Sequence, residues 1–561
     1  MRAKLAALAT LVAASSLFSQ EQPPLVESIE VRVANVDVVV RDRHGNPVPG
    51  LTKDDFDLIV DGARKNITNF YEVRRGRDES PDALAQSEVP VEVRQKRIVV
   101  FVDTASLTPS LKKAVLESLD RYLDRLRPED LCMLVSYRAQ VEVVTPFTHD
   151  RQALARGVKA ISHYSAAGER SAESVSTIRR IIQSQISNAE ENLVTWQEAY
   201  ATTRTIVGRY SERLIAEERE VAGAVDEVTA DIAGLEGKKV LVFVGEQLPK
   251  KPGADLYRYI NEQIGTHIAS GQSNWFETAM GQPGNDFTSQ IENMAQEASA
   301  RGVTIYAIGA STTDSDISAD ERRPVDVEYN FARDSNTASA LQSVASITGG
   351  VAITRSSNFD LAFDTIDRDL SSYYSIGYKP DGVSSRRHTI EVKAKNSQYS
   401  VRTRQTFVVQ STDDQMADRV VANLYIDSMT KNDWRISVRT APPKRDGKNF
   451  VVPIEVEIPS TMTMIPQQDA LAGSFILYFA VGDAQGKTST VMRRPEDLRI
   501  PATSETTVRA KPMKFRSALR VKPGECVLSV AIFDQLSGAM GFARTKINAR
   551  DATSHPPSAS D

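Results

Sequence analysis

The stretch Arg97 to Ser110, RIVVFVDTASLTPS, decides the fold. Its apolar run Ile98-Val99-Val100-Phe101-Val102 ends abruptly at Asp103. A hydroxyl-rich turn follows and leads into a helical pattern, Leu111 to Leu126. An apolar run of this length, bounded by polar residues and followed by a helix, predicts a strand buried on both faces of a parallel sheet. In open α/β sheets, ligands sit at the carboxyl ends of such strands. Asp103 is therefore the first candidate functional residue.

Working outward, strands are expected at Leu131 to Tyr137, Gln140 to Thr148, Lys238 to Glu246, Gly302 to Ala310 and Gly350 to Arg355, with closing helices at Leu341 to Gly350 and Phe359 to Leu370. A polar insertion interrupts this series. From Val175 to Leu235, apolar residues recur three and four apart (Ile178, Ile182, Ile186; then Val207, Tyr210, Leu214, Val221, Val225, Val228). Such a seam is heptad-like, as in a coiled coil. It predicts two long antiparallel helices, broken near Gly208, the second leading into the strand at Val240. The arm either packs on itself as a structural element or docks a protein.

The flanks are all-β in pattern. Val26 to Val73 alternates apolar and polar residues around a turn at His44-Gly45-Asn46-Pro47, which predicts a small β module. His388 to Val409 alternates again and predicts a hairpin closing against that module or the central sheet. Ser411 to Asn432 looks helical, and Phe450 to Ala549 gives several short strands with turn signals, as in an antiparallel sandwich.

Length and composition agree with several domains. The chain has 561 residues, 41% hydrophobic and 25% charged, and a formal net charge of -5. That balance gives no basic footprint for nucleic acid and no polybasic membrane patch. Arg2 and Lys4, the apolar Leu5 to Phe18 and the small Ser15, Ser16 and Ser19 predict a cleaved signal peptide. The apolar part, at about 14 residues, falls short of the about 20 needed to span a bilayer. Periplasmic or secreted placement without a membrane span is expected. Cys132 and Cys526 read as buried small hydrophobes in separate domains. No nucleophile elbow, phosphate-binding glycine loop or His-Glu-x-x-His is present, and the His149-Asp150 pair reads as a helix start capped by Asp150. No enzyme activity is expected.

Strand, Asp, hydroxyl-rich loop and helix, followed by the later strands in this order, resemble a von Willebrand factor type A (VWA) domain. NVDVVVRDRHGNPVPGLTKDDF (Asn35 to Phe56) and YYSIGYKP (Tyr373 to Pro380) are similar to the secreted bacterial VWFA-related family known mainly from acidobacterial genomes. The fold class expected is α/β, a VWA-like, Rossmann-type, mostly parallel open sheet with a long helical insertion and β flanks. The expected division is 1–20 signal peptide, 25–75 β module, 95–375 VWA-like domain with its insertion at about 172–235, 376–410 β-hairpin extension, 411–550 Ig-like β-sandwich and 551–561 disordered tail.

The resemblance implies a metal-ion-dependent adhesion site: Asp-x-Ser-x-Ser, a Thr from a second loop and an Asp from a third, which offer oxygens to a hard cation. Here Asp103 matches, whereas Ala105 and Leu107 stand where the serines would be. The second-loop segment, Ser162 to Arg170, has no Gly-Gly-Thr, and Gly245 takes the place of the third-loop Asp. Thr104, Ser106 and Thr108 are out of register by one, and Glu246 follows Gly245. Asp103, Ser106 and Glu246 are the candidate ligands of a degenerate site for Mg²⁺ or Ca²⁺. Otherwise no cofactor is expected, and Asp103 caps the turn after it. Asp314, Asp316 and Asp320 form an acidic loop on the same face. The resemblance implies an adhesion or assembly protein that docks a protein or cell-envelope component. Metal-dependent adhesion and an oligomerising structural subunit are the rival readings.

Overall fold

The computed structural model describes residues 34–550 apart from 75–94, 167, 247, 269–285, 311–323, 381, 383, 428, 430, 484–485 and 510. The expected signal peptide, the linker after Arg74, the Trp275-Phe276 part of the loop beyond Val244, the acidic loop with Asp314, Asp316 and Asp320, and the tail lie outside the described residues.

Among the described residues, four strands come first: β1 (Ala34–Arg41), β2 (Phe56–Val60), β3 (Ala63–Lys65) and β4 (Asn69–Arg74). The α/β domain follows, opening with β5 (Lys96–Asp103), α1 (Pro109–Leu123), β6 (Leu131–Tyr137), β7 (Val141–Thr148) and α2 (Arg151–Ser162). Next come α3 (Gly168–Glu190), α4 (Trp196–Asp231), β8 (Lys238–Gly245), α5 (Ala254–Ile260), α6 (Thr288–Ala300) and β9 (Val303–Ala310). The domain ends with α7 (Pro324–Thr348), β10 (Ala352–Ser356) and α8 (Phe359–Leu370).

The sheet order is β10-β9-β8-β5-β6-β7, all parallel except the antiparallel edge strand β7. Every residue of β5 is buried, which is why its central run Ile98 to Val102 is continuously apolar. Val99 and Phe101 face a core with Val221, Val225 and Val228 of α4. Ile98, Val100 and Val102 face the other core, built with α1, α2 and α8. The chain leaves β5 toward β6 on one side and returns at β8 on the other, so the carboxyl end of β5 is the topological switch point.

The insertion is a helical pair, but Gly208 does not break it. α4 runs unbroken from Trp196 to Asp231. One glycine costs a helix only about 1 kcal/mol, less than the seam on either side supplies. The pair and α5 share a core of Ile178, Ile182, Val207, Leu214, Leu256 and Ile260.

The strands expected at 376–410 form and close against the N-terminal module, one of the two placements the sequence allowed. β11 (Ser372–Tyr378), β12 (Ser384–Ala394), β13 (Ser400–Thr403) and β14 (Thr406–Val409) complete the N-terminal module. One of its sheets runs β13-β1-β11-β4 and the other β14-β12-β2-β3. The module therefore takes strands from both sides of the α/β domain. Asp369, at the end of α8, ties the two together. It accepts from Arg41 Nη2 of β1 at 3.0 Å, Arg402 Nη2 of β13 at 2.5 Å and Tyr306 Oη of β9 at 2.6 Å.

Beyond it, only Thr412–Ala422 of the segment expected to be helical forms a helix, α9. Nine strands follow. β15 (Ser437–Thr440), β16 (Lys444–Asp446), β17 (Asn449–Ile458) and β21 (Met513–Val521) form one sheet. β18 (Ile465–Gln467), β19 (Ala470–Asp483), β20 (Met492–Pro501), β22 (Gly524–Asp534) and β23 (Met540–Ala549) form the other. Val452, Ile454 and Val456 of the first meet Leu477, Phe479, Val530 and Ile532 of the second in one core. Cys132 and Cys526 are both buried free thiols.

Candidate functional site

Alternation along β5 puts the Asp103 side chain on the same face as Phe101, under α4. Phe101 stacks between Tyr137 of β6 at 6.2 Å and Phe243 of β8 at 5.8 Å. Asp103 itself is 1% exposed. Its Oδ1 accepts from the backbone N–H of Ala105 at 3.1 Å and of Ser106 at 3.3 Å. The carboxylate thus caps the turn that follows it, the second role read from the sequence.

The three candidate residues do come together. Ser106 Oγ donates to the Asp103 carbonyl at 3.3 Å and accepts from the backbone N–H of Glu246 at 3.0 Å. The Glu246 carboxylate accepts from the backbone N–H of Thr108 at 3.3 Å. Together these bonds latch the loop after β5 to the loop after β8. Thr104 turns away, its Oγ1 donating to the Tyr137 carbonyl at 2.8 Å. Leu107 is fully buried in the opposite core.

The second loop contributes backbone instead of a hydroxyl. Gly168 N–H, at the start of α3, donates to the Leu107 carbonyl at 3.1 Å. A Cβ on Gly168 would lie 2.3 Å from the Ser106 carbonyl oxygen, so only glycine permits this approach. Lys112 Nζ, on α1, holds the same segment through the Ser162 carbonyl at 2.9 Å and that of Tyr164.

Sequence reasoning missed Glu218. This α4 residue is 5% exposed, and its Oε2 has no hydrogen-bond partner among the described residues. Burial pushes its carboxyl well above the ordinary range, and the nearby Asp103 charge adds to the push. Asp103 is likewise pushed up to about 6 by burial, against the hydrogen bonds from Ser106 and Ala105. A trace of Glu218 exists in the sequence: the apolar seam skips from Leu214 to Val221, and Glu218 fills the vacant turn.

These residues do not fit the divalent cation that the resemblance implies. A hard cation wants several oxygens pointing inward. Here Asp103 Oδ1 and Ser106 Oγ are engaged in protein hydrogen bonds, and Glu246 serves the Thr108 amide. Among the described residues, no three His, Cys, Asp or Glu side chains cluster in a way that could hold a metal. Asp150 caps α2 by accepting from Gln152 N–H at 2.9 Å.

No family model and no curated protein matches the chain. Similar solved structures include the vWF domain of the type V pili tip protein Mfa5 from Porphyromonas gingivalis, at 12% identity over 50% of this chain and 95% of that one, with a TM-score of 0.26. Another is the conserved hypothetical protein BatB from Bacteroides thetaiotaomicron, at 11% identity, 49% and 97% coverage, and a TM-score of 0.21. A von Willebrand factor type A protein from Catenulispora acidiphila matches at 11% identity over 81% of this chain and 66% of that one, with a TM-score of 0.21. Similarity at these scores carries no argument by itself. The strand order, the antiparallel edge and the helices on both faces make the α/β domain VWA-like.

Proposed function

We propose that the chain is an exported, non-catalytic binding protein of the VWFA-related type. It docks a protein or cell-envelope component through the loops at the carboxyl edge of the central sheet and the helical arm. Its C-terminal sheets then serve as an Ig-like spacer, and metal is not required. The observation that carries this reading is the latch at the switch point. Where a metal-dependent relative would present an open coordination position, Asp103 caps its own turn while Ser106 and Glu246 bond across to each other's loops. Away from this closed corner, the arm exposes Leu193 at its tip, 69% accessible, and Ile181, 37% accessible.

Isothermal titration with Mg²⁺, Mn²⁺ and Ca²⁺ tests the metal-free part. No saturable heat is expected, and tight binding abolished by Asp103→Ala would establish metal-dependent adhesion instead. Capture of a partner from envelope extract is expected to weaken with Leu193→Arg. Light scattering on the same variant addresses the oligomerising subunit: a mass that drops from a multimer to a monomer would favour it.

A further inference from the structure

At the opposite end of the central sheet, where its strands begin, a cavity of about 350 Å³ lies against the N-terminal module. Asp37 of β1, Lys238 and Lys239 of β8, Arg301 and Gly302 before β9, and Arg404 line it. The exposed Asn35 also lines it and opens it to solvent. Cations outnumber anions here, and the distribution of partners sharpens the imbalance. Lys238 Nζ is 3.3 Å from Asp37 and 3.9 Å from the centre of the Tyr373 ring. Arg301 pairs with Asp226 at 2.5 Å, and the lining residue Glu236 pairs with Arg419 at 3.2 Å.

Among the described residues no carboxylate lies within ion-pair distance of Lys239 or Arg404, although the charges of Asp418 and Asp37 act on Lys239 and that of Asp37 acts on Arg404 from further off. Lys239 Nζ donates to the Ala233 carbonyl at 2.7 Å. Arg404 reaches the carbonyls of Asn35 at 2.7 Å and Ser299 at 3.4 Å, and its buried Nε has no hydrogen-bond partner. The two cations flank one residue. From the point where a Cβ on Gly302 would stand, Arg404 Nη1 is 2.8 Å away and Lys239 Nζ 3.7 Å. Gly302 has φ +74°, a conformation that favours glycine, and its missing side chain is what lets Arg404 and Lys239 approach this closely.

Two half-buried like charges side by side are costly unless a counter-charge joins them. Burial, and then the Arg404 charge, push the Lys239 amine down to about 8. A guanidinium fork beside an ammonium is the donor set that grips a tetrahedral oxyanion.

We propose that this cavity binds a phosphate group, as the free dianion or on a small ester. The ligand's two charges neutralise Lys239 and Arg404. The volume lies at the low end of small-molecule sites and leaves room for an ester's organic part.

The test is thermal unfolding of the whole chain at low ionic strength, with inorganic phosphate, glycerol phosphate or matched chloride. A saturable rise in Tm with phosphate over chloride is expected. A larger rise with glycerol phosphate identifies an ester, and an equal or smaller one the free ion. Lys239→Met is expected to lose the phosphate-dependent rise while its Tm without phosphate matches or exceeds that of the wild type, because a repulsion has been removed. The wild type alone gives a second reading, since the rise must shrink as pH passes about 8, where Lys239 loses its proton. A rise no greater than with chloride, an equal rise in Lys239→Met, or a rise constant between pH 7 and 9 would overturn the proposal.

Discussion

Asp231, at the last turn of α4, accepts from Tyr425 Oη at 2.8 Å, deep between the α/β domain and the segment after α9. Burial pushes its carboxyl up to about 7. Glu227 adds to the push, while Tyr425, Thr488 and Arg301 oppose it. The fold therefore prefers the neutral acid. Its contribution to stability is complete below the ordinary value of 3.8 and is lost as pH rises through about 7. A change of this size corresponds to at most ~4 kcal/mol. Asp231→Asn, similar in shape and always neutral, is expected to flatten the fall in the urea midpoint between pH 4 and 7.5; an unchanged slope would place the effect elsewhere. At this scale the sequence was legible where one residue interrupts a uniform background. Asp103 stands out because it ends an unbroken apolar strand. Glu218 does not, because it sits in a run of Glu and Arg from Glu217 to Glu220 in which any single carboxylate looks solvated. Gly168 gave no signal at all, since its need to be glycine comes from Ser106, far away in the chain.

The arm shows what periodicity can and cannot say about an element. Its seam predicted two helices because three-and-four spacing has one helical solution. It could not predict that α4 would ignore Gly208, because the compensating contacts lie on α5, where Tyr257 Oη comes within 3.3 Å of the point a Cβ on Gly208 would occupy. The start of α4 rests on a local device, a capping box. Thr195 Oγ1 accepts from Glu198 N–H at 3.2 Å, and the Glu198 carboxylate accepts from Thr195 N–H at 2.9 Å. Thr195→Ala is expected to cost about 1 kcal/mol. Because the box sits at the arm's tip, hydrogen exchange should speed up around residues 188–200 while β5 and β8 keep their protection. Uniform loss of protection would mean that the arm and the sheet unfold as one unit.

For the whole molecule, the decisive joint is Asp369. Burial alone would raise its carboxyl, but the Arg402 charge and the bonds from Tyr306, Arg402 and Arg41 outweigh it and hold the group below its ordinary range. This contribution is present at neutral pH and is lost as pH falls below about 4, the opposite sign to Asp231. Asp369→Ala strands Arg41 and Arg402 against the module and is expected to destabilise by ~3–5 kcal/mol, read as a lowered urea midpoint at pH 7. A loss below 1 kcal/mol would show that the two arginines find other partners. The order of the central strands was legible because each is a nearly continuous apolar run. The partnership of β1 with β11 and β13 was not, because period-two alternation says which face is buried and nothing about which strand lies alongside. That partnership also sets a timetable. On the ribosome, β1 emerges more than three hundred residues before Val401, its partner opposite Val40, and at ordinary elongation rates that is a wait of roughly 15–75 seconds. Through that interval its edges are unsatisfied, so a nascent chain stalled before Ser372 should be the form that chaperones hold and proteases cut.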